Sequence, residues 1–257
     1  MIKIERSEKP EQLTEELQKK LTEEFKKHKE KSVWNKPFIR EKLLEESNSK
    51  CVYCECFIGN GRKEMHIDHF HYKDKYIEEV VSWDNLNPSC PHCNKSKSTH
   101  DTYLFPIINP FEQNPKDYFY LKNYRYYSRN NDVEEIVRNT ISVLGLNDTE
   151  KVVKFRFEQA EILIDKIEDI YNFANENKEV LCYDIRKKNR VLRGCHNLLT
   201  KGIKTAEYSA YMATVIKENE YYSRLKQILI ELNLWDEDLY ALDEEVGEMK
   251  MQTSRDS

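Results

Sequence analysis

Residues Cys51 to Lys97 read CVYCECFIGNGRKEMHIDHFHYKDKYIEEVVSWDNLNPSCPHCNKSK, and this stretch decides the fold. Two Cys-x-x-Cys pairs frame it, Cys51 with Cys54 and Cys90 with Cys93. Each pair can chelate one ion from a tight knuckle, and four thiolates complete the closed tetrahedral shell of structural Zn2+. The segment between the pairs, Glu55 to Ser89, is far longer than a zinc-ribbon loop. The ion therefore staples the base of an inserted unit, and the insert is expected to carry the function.

Within the insert, His66 and Asp68 stand two apart and share a face if Met65 to Asp68 is extended, because side chains alternate along a strand. His69 follows where that strand ends, and Asn94 arrives at the start of a helix after the second knuckle. A carboxylate beside an imidazole, with an amide close by, makes an oxygen-rich metal position next to a general base. That donor set suits phosphodiester hydrolysis. Mg2+ needs few protein oxygens and keeps several waters, so Asp68 and Asn94 suffice as its protein ligands, and Mn2+ accepts the same set. His69 is the expected base towards water. Asn85 is expected to tie the connecting loop and orient His69. His66 reads equally as a second catalytic group or as a strand residue hydrogen-bonded within the site. Asn94 also suits a helix N-cap, but beside His-x-Asp-His it reads as a ligand.

These residues resemble the HNH, or ββα-metal, endonucleases, in the variant whose last position is Asn. The resemblance puts the metal-binding acid on Asp68, the general base on His69, the middle Asn on Asn85 and the final ligand on Asn94. More narrowly, Cys-Val-Tyr-Cys-Glu, His-Ile-Asp-His-Phe, Trp-Asp-Asn-Leu, Ser-Cys-Pro-His-Cys-Asn-Lys, Thr140-Ile141 and Leu144-Gly145-Leu146-Asn147 resemble the nuclease subunit of bacterial Septu-type antiphage systems. That resemblance spans roughly residues 35 to 160, extends weakly over the helical remainder, and implies an ABC-type ATPase partner. The family usually reads His-Phe-Arg-Pro-Lys after the acid, where this chain reads His69-Phe70-His71-Tyr72-Lys73. His71 is the candidate to take part of the missing arginine's role, with Lys73 and Lys97 as further phosphate contacts.

Composition sets bounds around this centre. The 257 residues are 39% hydrophobic and 11% aromatic, enough to build a core. The charged fraction of 34% exceeds the usual quarter, and six glycines with seven prolines leave little for flexible linkers, so the chain reads as helix-rich. MIKIERSEKPEQ lacks the apolar core of a leader, and no apolar run is long enough for a bilayer, which points to the cytoplasm and away from membranes. In a reducing cytosol the paired cysteines favour zinc over disulfides, and Cys56 reads as a buried free thiol. A net charge of −5 is unusual for a nucleic-acid binder, so basic surface must be local or lent by a partner.

In order along the chain, residues 11 to 31 carry Leu13, Leu17, Leu21 and Phe25 at helical spacing, an amphipathic helix expected to lie on its own domain. A second helix over 38 to 47 follows Pro37. Gly59, Asn60 and Gly61 supply a turn after the first knuckle. His92 has a small claim as a zinc ligand, and no partner is identified for His100. Residues 104 to 115 cross as an extended connector punctuated by prolines. DYFYLKNYRYYSRNND, from Asp117, interleaves aromatic and basic residues, which fits base stacking with Lys122, Arg125 and Arg129 on phosphates, or an ordinary β-hairpin. Beyond Val133 the pattern is helical. Val153, Phe157, Ala160, Ile164, Ile167, Tyr171 and Ala174 mark the buried stripe of a long helix. Tyr183 to Lys204 holds seven Lys or Arg against one acid, either a binding patch or a solvated face. The tail from Lys217 is acidic, and a frayed terminus is expected there.

The sequence thus describes an α+β, mostly α protein. A small ββα-metal HNH unit with a four-cysteine zinc site (49–130) is flanked by an N-terminal helical segment (1–48) and a C-terminal helical domain (131–257). The expected activity is metal-dependent cleavage of nucleic acid, DNA favoured over RNA. A non-catalytic zinc adaptor of the same complex is the competing reading.

Overall fold

The computed structural model describes residues 1–59, 61 and 63–256; Asn60 of the expected turn lies outside the described residues. Nine α-helices and four short strands are found among the described residues, so the protein is α+β and mostly α. It divides into two compact units. The first takes in Met1–Phe119, Arg125–Val152 and the C-terminal residues from Arg255, and the second takes in Tyr120–Tyr124 with Val153–Ser254.

The first unit begins with α1 (Glu15–Lys27) and α2 (Pro37–Glu46). Thr14 caps α1 by accepting from the Leu17 amide, with Glu15 and Glu16 in the first turn and Lys26 and Lys27 in the last, charges that suit the helix dipole. Its apolar stripe is covered from within the unit. Leu21 and Phe25 pack with Val33, Val80 and Val81, each such burial contributing about 1.5–3 kcal/mol. Pro37 opens α2 at its first turn, where no amide is needed.

Then comes the centre. Strand β1 (His66–His69) pairs antiparallel with β2 (Leu86–Ser89) in the register His66–Ser89, Ile67–Pro88, Asp68–Asn87 and His69–Leu86. Helix α3 (Pro91–Lys97) follows directly, giving the expected β-β-α order. Cys90 is its N-cap and Pro91 its first residue, so Asn94 sits inside the helix and is not a cap. The strand partner of β1 lies beyond the long loop rather than next to it in sequence.

Strands β3 (Phe119–Lys122) and β4 (Arg125–Ser128) occupy the aromatic-basic stretch and form a two-stranded sheet, which favours the hairpin reading. Its arginines are spent internally. Arg125 bonds the Asn147 carbonyl and Thr149 Oγ1, and Arg129 pairs with Asp256.

Helix α4 (Glu134–Leu144) packs on α3, and the residues around its end have plain structural duties. Thr140 Oγ1 accepts from the Ile108 amide at 2.9 Å and donates to the Ile136 carbonyl at 2.6 Å. Asn147 imitates a strand neighbour, accepting from the Tyr126 amide and donating to its carbonyl. Gly145 ends α4 in the left-handed conformation (φ 61°), the usual glycine C-cap.

The second unit contains α5 (Lys154–Glu176), α6 (Ile185–Leu199), α7 (Ser209–Glu218), α8 (Glu220–Glu231) and α9 (Glu237–Met249). Helix α5 touches α6, α7 and α8, while α9 packs on α6 and α7. The buried stripe of α5 departs from the expected one. Phe157 is 45% exposed, edge-on to Tyr124, and Arg156 and Leu163 are buried in its place. The acidic tail is not frayed. Asp236 caps α9 through the Leu239 amide, and the buried Asp243 accepts hydrogen bonds from Lys217, Tyr222 and Lys226.

A Cβ on Gly145 would stand 2.9 Å from His92 Nε2 and 3.1 Å from Ser96 Oγ, both in α3. Gly145→Ala should therefore lower the unfolding free energy by at least about 1 kcal/mol, the cost of a left-handed L-residue, measured by chemical denaturation.

Candidate active site and zinc knuckle

The knuckles come together as their spacing requires. Cys51, Cys54, Cys90 and Cys93 are all buried, with sulfurs within 4.8 Å of one another. Cys54 Sγ and Cys90 Sγ are 3.7 Å apart, close to the edge of about 3.8 Å that a tetrahedron with zinc–sulfur arms of ~2.3 Å has. Hydrogen bonds from Cys51 hold the Cys54 and Cys90 thiols below their ordinary range. The Cys93 amide at the start of α3 also points at Cys90 Sγ, 3.4 Å away. The donor set fits one zinc ion. Cys56 is buried beside the four without joining them. His92 Nε2 lies 3.3 Å from the Gly145 carbonyl, away from the sulfurs.

Backbone bonds carry this order into the strands. The Val52 amide donates to the Pro88 carbonyl of β2, and the Cys51 amide to the Cys56 carbonyl. Tyr53, between the first two cysteines, then reaches the site itself: its hydroxyl donates to Asp68 Oδ2 at 2.6 Å. Lys97 at the end of α3 donates to Asp68 Oδ1 at 3.2 Å and to the His69 carbonyl at 2.6 Å. Asp68 is 4% exposed. Burial pushes its carboxyl above the ordinary range, and Lys97 and Tyr53 oppose that shift. An ionised carboxylate is acceptor-only, so each oxygen keeps a lone pair after these bonds.

His69 is also buried. Its Nε2 lies 2.9 Å from the Val80 carbonyl, and the Trp34 ring meets it edge-on at 4.4 Å. A carbonyl can only accept, so Nε2 carries the proton and the Nδ1 lone pair is left over. Burial holds the imidazole down at about 4, against the opposing pull of the Val80 carbonyl. Asn85 braces the loop beside this ring. Its amide donates to the His71 and Glu79 carbonyls, both at 3.1 Å, and its Oδ1 accepts from the His71 amide at 2.6 Å. Glu79 adjoins Val80, whose carbonyl holds His69.

On the other face of the pair, Asn94 Nδ2 lies 3.2 Å from His66 Nδ1. The amide nitrogen donates, so His66 accepts at Nδ1, and Asn94 Oδ1 stays open among the described residues. His66 and Asp68 lie on one face of β1, and α3 packs against that strand. Asp68 and Asn94 carry hard oxygens, the kind of donor that a magnesium-like divalent cation takes.

The three candidate phosphate contacts differ in access. Lys97 is buried with its ammonium turned inward. His71 is half-buried, stacked on Tyr103 with ring centroids 3.7 Å apart. Thr102 Oγ1 donates to the Phe70 carbonyl, so His71 Nδ1 donates to Thr102 and its Nε2 is the acceptor when neutral. Lys73 is paired with Asp74 at 3.0 Å. His100 does have a partner, the Phe105 carbonyl at 2.7 Å.

Sequence reasoning missed Tyr53, Asn87, Arg6 and Trp34. Arg6 donates to Asn87 Oδ1 at 2.8 Å, Asn87 Nδ2 to the Tyr53 hydroxyl at 3.2 Å, and Tyr53 to Asp68. Tyr53 was visible inside its knuckle and Asn87 just past the Trp-Asp-Asn-Leu turn. Arg6 and Trp34, far from the motif, gave no signal.

This β-β-α unit with its zinc knuckle defines an HNH nuclease domain, and residues 51–100 match the family model described as HNH endonuclease. Over 236 residues the chain is 37% identical to a Bacillus thuringiensis protein named Septu protein PtuB, covering 92% of this chain and 90% of that one. The chain belongs to the PtuB family.

The purified protein should carry one zinc per chain by elemental analysis, and Cys90→Ser should lose the metal and several kcal/mol of stability (about 10–16 is available from a structural zinc). His69 gives a second test. Its ring stays neutral in the fold down to about 4, whereas in the unfolded chain it takes a proton near 6.5. The unfolded state binds more protons in that window, so stability falls as pH falls through it, by about 3 kcal/mol in all. Urea unfolding at pH 7 and pH 4 should show that excess loss relative to His69→Phe.

Proposed function

We propose that this chain is a divalent-metal-dependent endonuclease that hydrolyses phosphodiester bonds, favouring DNA over RNA. It would act in the cytoplasm as the nuclease effector of an antiphage defence system, beside an ABC-type ATPase. The observation that carries the reading is His69, a buried neutral imidazole whose Nε2–H is fixed on Val80 and whose Nδ1 has no hydrogen-bond partner among the described residues, next to Asp68 on the same strand. The defence role and the ATPase rest on likeness to the Septu protein PtuB. No helix of the described residues is long and apolar enough to cross a membrane.

Asp68 and Asn94 would hold the Mg2+ or Mn2+ ion, whose chemistry when bound is to stabilise negative charge on the phosphate and the departing oxygen. The residues of the chain do the rest. His69 Nδ1 accepts a proton from water as its oxygen bonds to phosphorus, and the 3′ oxygen leaves with the pair of the broken P–O bond and takes a proton from solvent water, giving 5′-phosphate and 3′-hydroxyl ends. Lys97 favours the ionised form of Asp68 against the effect of burial and pins the His69 carbonyl. His66, accepting from Asn94 Nδ2, turns the amide oxygen outward. Asn85 fixes the segment that supplies the Val80 carbonyl. With Lys97 committed inward, phosphate contact falls to His71 and Lys73.

The test is cleavage of plasmid DNA, single-stranded DNA and RNA with Mg2+ or Mn2+, with and without the ATPase. His69→Ala should cut at least ~100-fold more slowly, the usual worth of a general base, while retaining zinc. Equal cutting by both proteins would remove His69 from the mechanism. Zinc-loaded protein that cuts nothing even with the ATPase present would make the chain a zinc adaptor.

A further inference from the structure

The basic run of the sequence lies on α6, in the second unit. Arg186, Arg190, Arg193 and Asn197 recur at i, i+4, i+7 and i+11, so they form one line along the helix, about 16 Å long at ~1.5 Å per residue. All four are exposed. None of the three arginines makes an ion pair among the described residues, whereas Arg6, Arg129, Arg224 and Arg255 do. Arg190 is held in place by stacking on Phe173 of α5, 3.9 Å from the ring centre, without a counter-charge. In a chain of net charge −5, three unpaired guanidinium groups in register are a local departure.

At the N-terminal end of the line, the chain exposes apolar surface. Tyr183 is 86% and Ile185 67% exposed, and with Val180, Asp184, Arg186 and Lys187 they line a shallow recess of about 550 Å³. Asp184, the acid of this group, is occupied in capping α6, accepting from the Arg186 and Lys187 amides at 3.0 Å each. A solvated helix face does not account for an exposed tyrosine and isoleucine at its end. Arginines on phosphates with an aromatic for a base is the composition of a strand-binding surface.

We infer that α6 and the Tyr183 recess form a second nucleic-acid contact, with Arg186, Arg190 and Arg193 on consecutive phosphates and Tyr183 stacking an unpaired base. The inference rests on the reading of the chain as a nuclease.

The experiment uses the full chain carrying His69→Ala, so that bound nucleic acid is not consumed. Labelled duplex and single-stranded DNA and RNA are titrated at 50 and 200 mM KCl. Removal of three phosphate contacts takes about 2.7 from the log–log salt slope on duplex. The protein with an intact face should therefore lose about 40-fold more affinity over that range than Arg186→Ala/Arg190→Ala/Arg193→Ala. Tyr183→Ala should weaken single strands at least ~5-fold with the slope unchanged. Identical slopes, or no binding by the intact face at 50 mM, would overturn the inference. So would a triple variant that binds nucleic acid normally but no longer co-purifies with a protein partner, since the face would then be a protein-docking surface. Cleavage by the chain with His69 intact is scored separately, so a failed nuclease reading leaves the binding result legible.

Discussion

A lysine ammonium buried between a carboxylate and a carbonyl is the contact on which the site depends. Lys97 is 2% exposed and is satisfied by Asp68 Oδ1 and the His69 carbonyl. Removing one partner of such a pair costs about 3–5 kcal/mol, because the other charge is left buried and alone. The pair matters because α3 has only seven residues, too short to hold a helix unaided. Cys90 and Cys93 clamp its beginning through the zinc knuckle, and Lys97 clamps its end on β1. Asn94 lies between the two clamps, so its position against His66 follows from both.

The second oxygen of Asp68 is held by a hydroxyl instead of a charge. A tyrosine has one proton to give, and Tyr53 gives it to Asp68, so the Tyr53 oxygen must accept from Asn87. Asn87 in turn accepts from Arg6. The direction of every bond in this chain is fixed by its donors. Lys97 opposes the shift that burial imposes on the carboxylate, and the Tyr53 chain, anchored on the largely buried guanidinium of Arg6, sets its orientation.

What the sequence disclosed follows from the chemistry of each residue. Thiolate ligands must recur in pairs with two residues between them, so the zinc knuckles were legible from spacing alone. His66 to His69 was legible as a strand because a two-residue alternation puts donors on one face. Tyr53, Lys97 and Trp34 have no spacing signature of their own, and only tertiary placement gives them a partner. Lys97 shows the difference sharply. Its helical spacing from Asn94 placed it correctly beside the site, but nothing in one dimension told whether its ammonium turned to solvent or to Asp68. On α5, spacing by threes and fours admits two neighbouring stripes, and packing chose Leu163 over Phe157. The acidic α9 misled for a related reason. Charge alone argued for fraying, whereas Lys217 and Lys226 give Asp243 a buried place.

His69 poses the remaining question, since a ring that burial holds near 4 is a weak base in the free protein. Burial has two effects. It keeps the ring overwhelmingly neutral at physiological pH, and it lowers the affinity of Nδ1 for a proton. An anionic phosphate brought close reverses the second effect, because a neighbouring negative charge favours the imidazolium form. The Val80 carbonyl acts in the same direction on Nε2–H and is present throughout. In the proposed mechanism, basicity at Nδ1 therefore rises when substrate is in place. Trp34 at the ring edge keeps that environment low in dielectric, which strengthens the phosphate's influence. In that mechanism, the burial that weakens the base at rest makes its strength dependent on the substrate.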